Sequence, residues 1–117
     1  SGRLYLDGNI SVEEDSQSIK DRKNLSINGY MEVTILLSPK GNFHKSPLIT
    51  FRGLPINNIE DFKHSLIEEI ESVLKTFSLN SKKQEYNLID TIKILCRKYS
   101  KENTGKKPFT NINLVRI

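Results

Sequence analysis

The segment from Tyr30 to Leu37 alternates between two sets of side chains, and this alternation constrains the fold more than any other feature of the chain. A period of two places successive side chains on opposite faces of a strand. One face is apolar, whereas Glu32 and Thr34 lie on the other. The buried face is therefore predicted to consist of Met31, Val33, Ile35 and Leu37.

Two further segments favour strands beside this one. Leu48 to Arg52 follows a cluster of turn-forming residues at positions 38 to 42, which predicts the returning strand of a hairpin with a longer loop. Phe109 to Arg116 begins after Pro108 and places Ile112 and Leu114 on one face. Together these segments predict a sheet of three strands.

Two longer segments show the apolar spacing of amphipathic helices. The first is predicted to span residues 59 to 78, with Asn58 as its N-cap and two carboxylates in its first turn. The second is predicted to run from about Glu85 to Glu102 and to end at Asn103-Thr104-Gly105. Its predicted buried stripe consists of Leu88, Ile92, Leu95, Cys96 and Tyr99.

The simplest way to bury these apolar surfaces is a two-layer α+β fold, in which a three-stranded sheet packs against two long helices on one face. Residues 1 to 15 are expected to form an N-terminal arm or linker, with Ser1 a remnant of recombinant expression. A short helix from Ser16 to Asn28 is predicted to follow, ended by Gly29 in a left-handed turn. The domain proper is therefore expected to span residues 16 to 117.

The length of 117 residues fits one domain, and the single cysteine excludes a disulfide framework. No apolar run approaches the roughly 20 residues that span a bilayer. We therefore expect a soluble, cytoplasmic protein without a membrane partner.

Chemistry-bearing motifs are absent from the sequence. It contains no glycine-rich phosphate loop, no paired cysteines and no metal-binding histidine cluster. His44 and His64 are isolated, and Cys96 on the buried stripe is expected to be a small hydrophobe rather than a nucleophile. No catalytic, cofactor-binding or metal-binding residue is therefore nominated.

Positive charge is concentrated at the C-terminal end. Residues 81 to 117 carry nine Lys or Arg against three Asp or Glu. The chain also has 13 Lys, 14 Ile and no Ala, which is typical of AT-rich coding and allows drift as an explanation for some of the lysine. Lys93, Arg97 and Lys101 recur every four residues on one face of the second helix, without an accompanying aromatic residue. The candidate phosphate contacts are Lys93, Arg97, Lys101, Lys106, Lys107 and Arg52.

Several short motifs, in this order, resemble the C-terminal part of bacterial ribonuclease J. They are Gly2-Arg3-Leu4-Tyr5-Leu6-Asp7-Gly8, Lys20-Asp21-Arg22-Lys23-Asn24-Leu25 before Asn28-Gly29, Phe51-Arg52-Gly53-Leu54, and Thr104-Gly105-Lys106-Lys107-Pro108. Each motif is weak alone, but their order and spacing together are specific. The similarity covers essentially the whole chain.

This resemblance implies a fragment of a larger enzyme. Members of that family carry metallo-β-lactamase and β-CASP domains that bind zinc and cut RNA, followed by a small α/β domain. The resemblance therefore implies a parent with 5′-to-3′ exonuclease and endonuclease activity in RNA decay and ribosomal RNA maturation. The zinc-binding His-x-His-x-Asp-His motif is missing here, so the fragment itself is expected to cut nothing.

Two roles remain open for the domain. It could be an assembly module that contacts another copy or the catalytic domains of the same protein, with a homo-oligomeric parent. It could instead contact RNA phosphates through its basic residues. The alternative to both is an independent RNA-binding or protein-interaction module, whereas an independent enzyme has no support.

Overall fold

A computed structural model describes residues 27 to 40, 42 and 46 to 117. Strand β1 (Tyr30–Leu37) is followed by strand β2 (Leu48–Arg52), then by helix α1 (Ile59–Leu74), helix α2 (Lys82–Thr104) and strand β3 (Phe109–Arg116). The α+β class and the bounds of all three strands confirm the predictions. The predicted arm lies outside the described residues, as does the short helix except for Ile27 and Asn28, which are helical.

The sheet has the strand order β2-β1-β3, so the alternating strand lies at its centre. Strand β2 runs antiparallel to β1 as the returning arm of the hairpin. Strand β3 runs parallel to β1 over the full length of both strands. The amide of Phe109 donates to the carbonyl of Gly29 at one end, and the amide of Ile117 donates to the carbonyl of Leu37 at the other.

Both helices cover the same face of the sheet. The side chains of Met31, Val33, Ile35 and Leu37 are fully buried there, as the alternation predicts. They form one cluster with buried residues of the other elements, which are Ile49, Phe62, Leu66, Ile70, Leu74, Leu88, Ile92, Cys96 and Ile112. The result is a two-layer domain whose core lies between the helices and one face of the sheet.

Helix α1 ends four residues earlier than predicted. The apolar spacing continues to Phe77, but the amides of Thr76 and Phe77 bond to carbonyls only three residues back, and the hydroxyl of Thr76 donates to the carbonyl of Val73 at 2.7 Å. Phe77 still packs against the core from outside the helix. Its apolar character therefore reports burial and not helical conformation.

Helix α2 is longer than predicted at both ends. It starts at Lys82 because the Ser81 side chain accepts from the amide of Gln84, while the Gln84 side chain accepts from the amide of Asn80 at 2.7 Å. This exchange resembles a capping box. At the other end the helix continues to Thr104 and stops at Gly105, whose φ of 78° is left-handed. Among the described residues, no helix has the length and hydropathy needed to cross a membrane.

Candidate functional site

Most basic residues of α2 lie on its solvent-facing side. Arg97 and Lys101 are exposed, and Lys93 is half-buried at the margin of the helix. The ammonium group of Lys101 donates to the carbonyl of Gly105 at 3.1 Å, beyond the C-terminal end of the helix. A cation in this position also complements the helix dipole, so Lys101 has a local structural role besides any contact with a partner.

The other predicted cations do not all join this group. Lys106 donates from Nζ to the carbonyl of Gly53 at 3.3 Å, and Lys107 is exposed in the connection to β3. Arg52 lies in register with Tyr30 at the end of β2. Because its neighbour Phe51 packs against the core, Arg52 points to the face of the sheet opposite the helices. The structure therefore separates Arg52 from the cations of α2.

An exposed aromatic residue does accompany the cations of α2, contrary to the sequence-based expectation. The side chain of Tyr86 is 68% exposed, one turn beyond Lys82 and two turns before Lys93. Ile94 is exposed to a similar degree on the outer side. Tyr86 lies within the predicted helix but off its predicted buried stripe, and seven residues separate it from Lys93, so it was not grouped with the cations.

The second surface is the face of the sheet that no described element covers. We call it the open sheet face. It presents eleven side chains, and only one of them is acidic and one basic. Its members are Tyr30, Glu32, Thr34, Leu36, Leu48, Thr50, Arg52, Phe109, Asn111, Asn113 and Val115.

Glu32 lies at the centre of the open sheet face, on the middle strand. Its Oε2 accepts hydrogen bonds from the side-chain amides of Asn111 and Asn113 on β3, both at 3.1 Å. These two bonds hold the pKa of the Glu32 carboxyl below its ordinary value, with a smaller contribution from the nearby Tyr30. Desolvation and the neighbouring carboxylate raise the pKa of Tyr30. The carboxylate is thus fixed and ionised at neutral pH.

Apolar side chains border this polar centre. The rings of Tyr30 and Phe109 stack with centroids 6.1 Å apart. Phe109 and Leu48 are about half exposed, and Val115, near the C-terminal end of β3, is also exposed. Exposed aromatic and aliphatic groups around a few polar ones, with charge depleted, are typical of the centre of a protein interface.

Neither Cys96 nor His64 lies on the open sheet face or on the exposed side of α2. Cys96 is fully buried on α2, and burial raises the pKa of its thiol to about 12. His64 is exposed on the outer side of α1, 3.7 Å from Glu68, and His44 lies outside the described residues. A polar cleft beside the start of α1, lined by Asp61, Ser65, Asn103 and neighbouring residues, has a single carboxylate. None of these settings supplies a nucleophile with an adjacent base.

Two comparisons with known proteins place this chain among its relatives. The family model for the ribonuclease J C-terminal domain matches residues 17–117. A ribonuclease J from Sinorhizobium meliloti is 22% identical over 118 residues, which cover 99% of this chain. The same match covers 21% of that relative, so the chain spans about a fifth of its length.

Proposed function

This chain belongs to the ribonuclease J C-terminal domain family, and from that premise we propose that it is a non-catalytic assembly domain of a ribonuclease J-like enzyme. The family match covers most of the chain, while the relative named ribonuclease J is about five times longer. The proposed partners are the catalytic domains of the same protein and further copies of it.

The proposed parent is a metal-dependent hydrolase of RNA in the cytoplasm, with 5′-to-3′ exonuclease and endonuclease activity in RNA decay and ribosomal RNA maturation. Its metallo-β-lactamase and β-CASP domains would hold the zinc. The residues described here do not fit that metal, because they contain no group of three His, Cys, Asp or Glu side chains that could bind an ion. We therefore assign no step of RNA cleavage to this domain.

The main support for the assembly role is the open sheet face. Two of its apolar side chains, Leu48 and Phe109, are 57% and 49% exposed, and its central carboxylate is already oriented by two amides. A preorganised surface loses little conformational entropy when a partner covers it. The exposed apolar groups would gain about 25 cal/mol for each Å² removed from water.

Sedimentation velocity of the chain from about 5 µM to about 1 mM tests the assembly role, because a surface of this kind is expected to bind with micromolar to submillimolar affinity. We expect the weight-average sedimentation coefficient to rise with concentration toward that of a dimer. A coefficient that stays at the monomer value throughout would contradict self-assembly. Docking to separately prepared catalytic domains would then be measured by the same method.

A second role, contact with the RNA backbone, is favoured by the outer side of α2. Within the described part of the chain, no carboxylate lies within 4.0 Å of a Lys or Arg of this helix. Unpaired cations can release counterions from a polyanion, and the exposed ring of Tyr86 could stack on an unpaired base. Lys93, Arg97, Lys101, Lys106 and Lys107 remain the proposed phosphate contacts. Arg52 faces away from them.

A further inference from the structure

The two charges of the open sheet face are complementary to each other. Glu32 is in register with Thr50, and Arg52 is the next residue of β2 on the same face. The two therefore occupy diagonal positions on neighbouring strands, which places their Cα atoms about 7–8 Å apart. Nevertheless they form no ion pair within the chain: Glu32 is bonded to neutral amides, and Arg52 has no carboxylate within 4.0 Å among the described residues.

A surface with one acid and one base can pair with a copy of itself. In a two-fold dimer the same patch occurs on both subunits, so each contact occurs twice with the roles exchanged. We propose that two copies of this chain pack their open sheet faces together, with Glu32 of each copy meeting Arg52 of the other. This inference rests on the proposed assembly function and names its surface and its partner.

Other surfaces of the chain suit a second copy less well. The outer side of α1 carries mainly carboxylates and that of α2 mainly cations, so packing either against itself would oppose like charges. The open sheet face is nearly neutral and combines stacked aromatic rings with amides. Two sheets packed face to face lie about 10 Å apart, which is close enough for a glutamate and an arginine to meet between them.

The size of the open sheet face determines the expected affinity of the dimer. Strands β1 and β3 are paired over eight residues. At about 3.3 Å per residue and 4.8 Å per strand, the three strands present roughly 400 Å² for each copy. A stable interface buries about 800 Å² for each partner, so the chain alone should dimerise only weakly. Because the area is small, the two ion pairs should matter for whether dimers form at all.

The test is a charge exchange measured by sedimentation equilibrium of the 117-residue chain. Glu32→Lys and Arg52→Glu each oppose like charges at two places in the dimer. Each variant is expected to raise the dissociation constant by about tenfold or more. The double variant restores opposite charges with exchanged positions, so it should recover most of the affinity.

Matched controls separate this pairing from net charge and from misfolding. Asp90→Lys, Lys98→Glu and their double variant make the same charge changes at exposed positions of α2, and they should leave the dissociation constant within about twofold of the unmodified chain. Glu32→Gln retains the size of the side chain and an acceptor for the asparagine amides, and should weaken dimerisation less than Glu32→Lys does. Circular dichroism of every variant checks that it is folded.

Amide NMR spectra recorded at increasing concentration locate the surface directly, even for a weak dimer. Resonances of Thr50, Asn111 and Asn113 should shift with concentration, whereas those of the outer sides of both helices should not. Dimers that respond equally to both sets of variants, or shifts confined to the helices, would overturn the proposed surface and leave the assembly role intact. A chain that stays monomeric throughout, with no concentration-dependent shift, would overturn the surface and the self-assembly role together.

Discussion

At the residue scale, Cys96 illustrates how position determines chemistry. Its side chain is fully buried on α2, and its thiol pKa is raised from 9.0 to about 12, chiefly by burial and also by the charge of Glu69. The thiolate is the reactive form of cysteine. A rise of this size leaves about a thousandfold less thiolate at pH 8.

We therefore expect the native chain to react with a thiol-specific disulfide reagent at least about a thousandfold more slowly than the chain in denaturing urea. The measurement is the rate of reagent consumption at pH 8 with and without urea. A free thiol peptide under both conditions controls for the effect of urea on the reagent. Native labelling at the rate of that peptide would contradict the buried position.

Glu32 should make the free energy of unfolding depend on pH. Its folded pKa lies below the ordinary 4.5, so the hydrogen bonds from Asn111 and Asn113 stabilise the fold fully above the unfolded pKa, and this contribution is lost as pH falls through the folded pKa. Asn113→Ala should cost about 1 kcal/mol of unfolding free energy at pH 7, and less at pH 3. Urea denaturation at both pH values measures the difference.

The control for this prediction is the same substitution in a chain that also carries Glu32→Gln. A neutral amide at position 32 does not titrate, so the cost of Asn113→Ala should then be the same at pH 7 and pH 3. A cost that falls equally in both backgrounds would show that Glu32 is not the titrating group.

At the element scale, two left-handed glycines make a matched pair. A Cβ on Gly29 would lie 2.9 Å from the carbonyl oxygen of Arg52 and 3.0 Å from that of Gly53. At Gly105, which has a similar φ, a Cβ would meet nothing within 4 Å. Two constraints therefore require glycine at position 29, its left-handed backbone and the nearby carbonyls of Arg52 and Gly53. At Gly105 only the left-handed backbone does.

Gly105→Ala should cost about 1 kcal/mol of unfolding free energy, the usual cost of a left-handed backbone for a residue with a Cβ. Gly29→Ala should cost at least about twice as much, since the backbone around it must also move. Chemical denaturation of both variants measures these values. Equal costs would show that the close approach at Gly29 is accommodated without strain.

The elements differ in how well local sequence predicts them. The bounds of β1 and β3 follow from residue types and breakers next to each strand, and the predicted cap at Asn58 is confirmed. Phe77 extended the predicted first helix because its burial comes from tertiary packing. The start of α2 was missed because Ser81 and Gln84 act through hydrogen bonds that an apolar period does not report.

At the scale of the whole molecule, charge is separated across the helical layer. Helix α1 carries five carboxylates and one lysine, whereas α2 carries six Lys or Arg and three carboxylates. A polyanion should therefore approach from the side of α2. This separation follows directly from the sequence once the two helices are known to lie side by side.

If the RNA-binding role is correct, Arg97→Glu with Lys101→Glu should weaken binding of a labelled single-stranded RNA and reduce the log–log salt slope by about 0.7 for each phosphate that is no longer neutralised. Lys40→Glu with Lys75→Glu changes net charge equally at exposed positions away from α2. Fluorescence anisotropy across salt concentrations compares the two. Equal weakening by both pairs would show that only net charge matters.

An uncovered sheet face follows from the predicted two-layer fold, but the hydrogen-bonded cluster at its centre could not be predicted from the sequence. Asn111 and Asn113 reach Glu32 only because β3 pairs with β1 in this register, although about eighty residues separate them along the chain. Strand pairing of this kind leaves no local periodic pattern. The carboxylate and its two amides therefore looked like unrelated polar residues on two strands.

The position of β1 also determines the order in which this fold can be made. The central strand is synthesised early, but its parallel neighbour β3 is the last of the described elements to leave the ribosome. Until then β1 has one unpaired edge, and Ile112 is missing from the core. Pairing over so long a separation is slow because the intervening loop must close first. A nascent chain at this stage exposes a hydrophobic strand edge, which is the kind of surface that chaperones protect from aggregation.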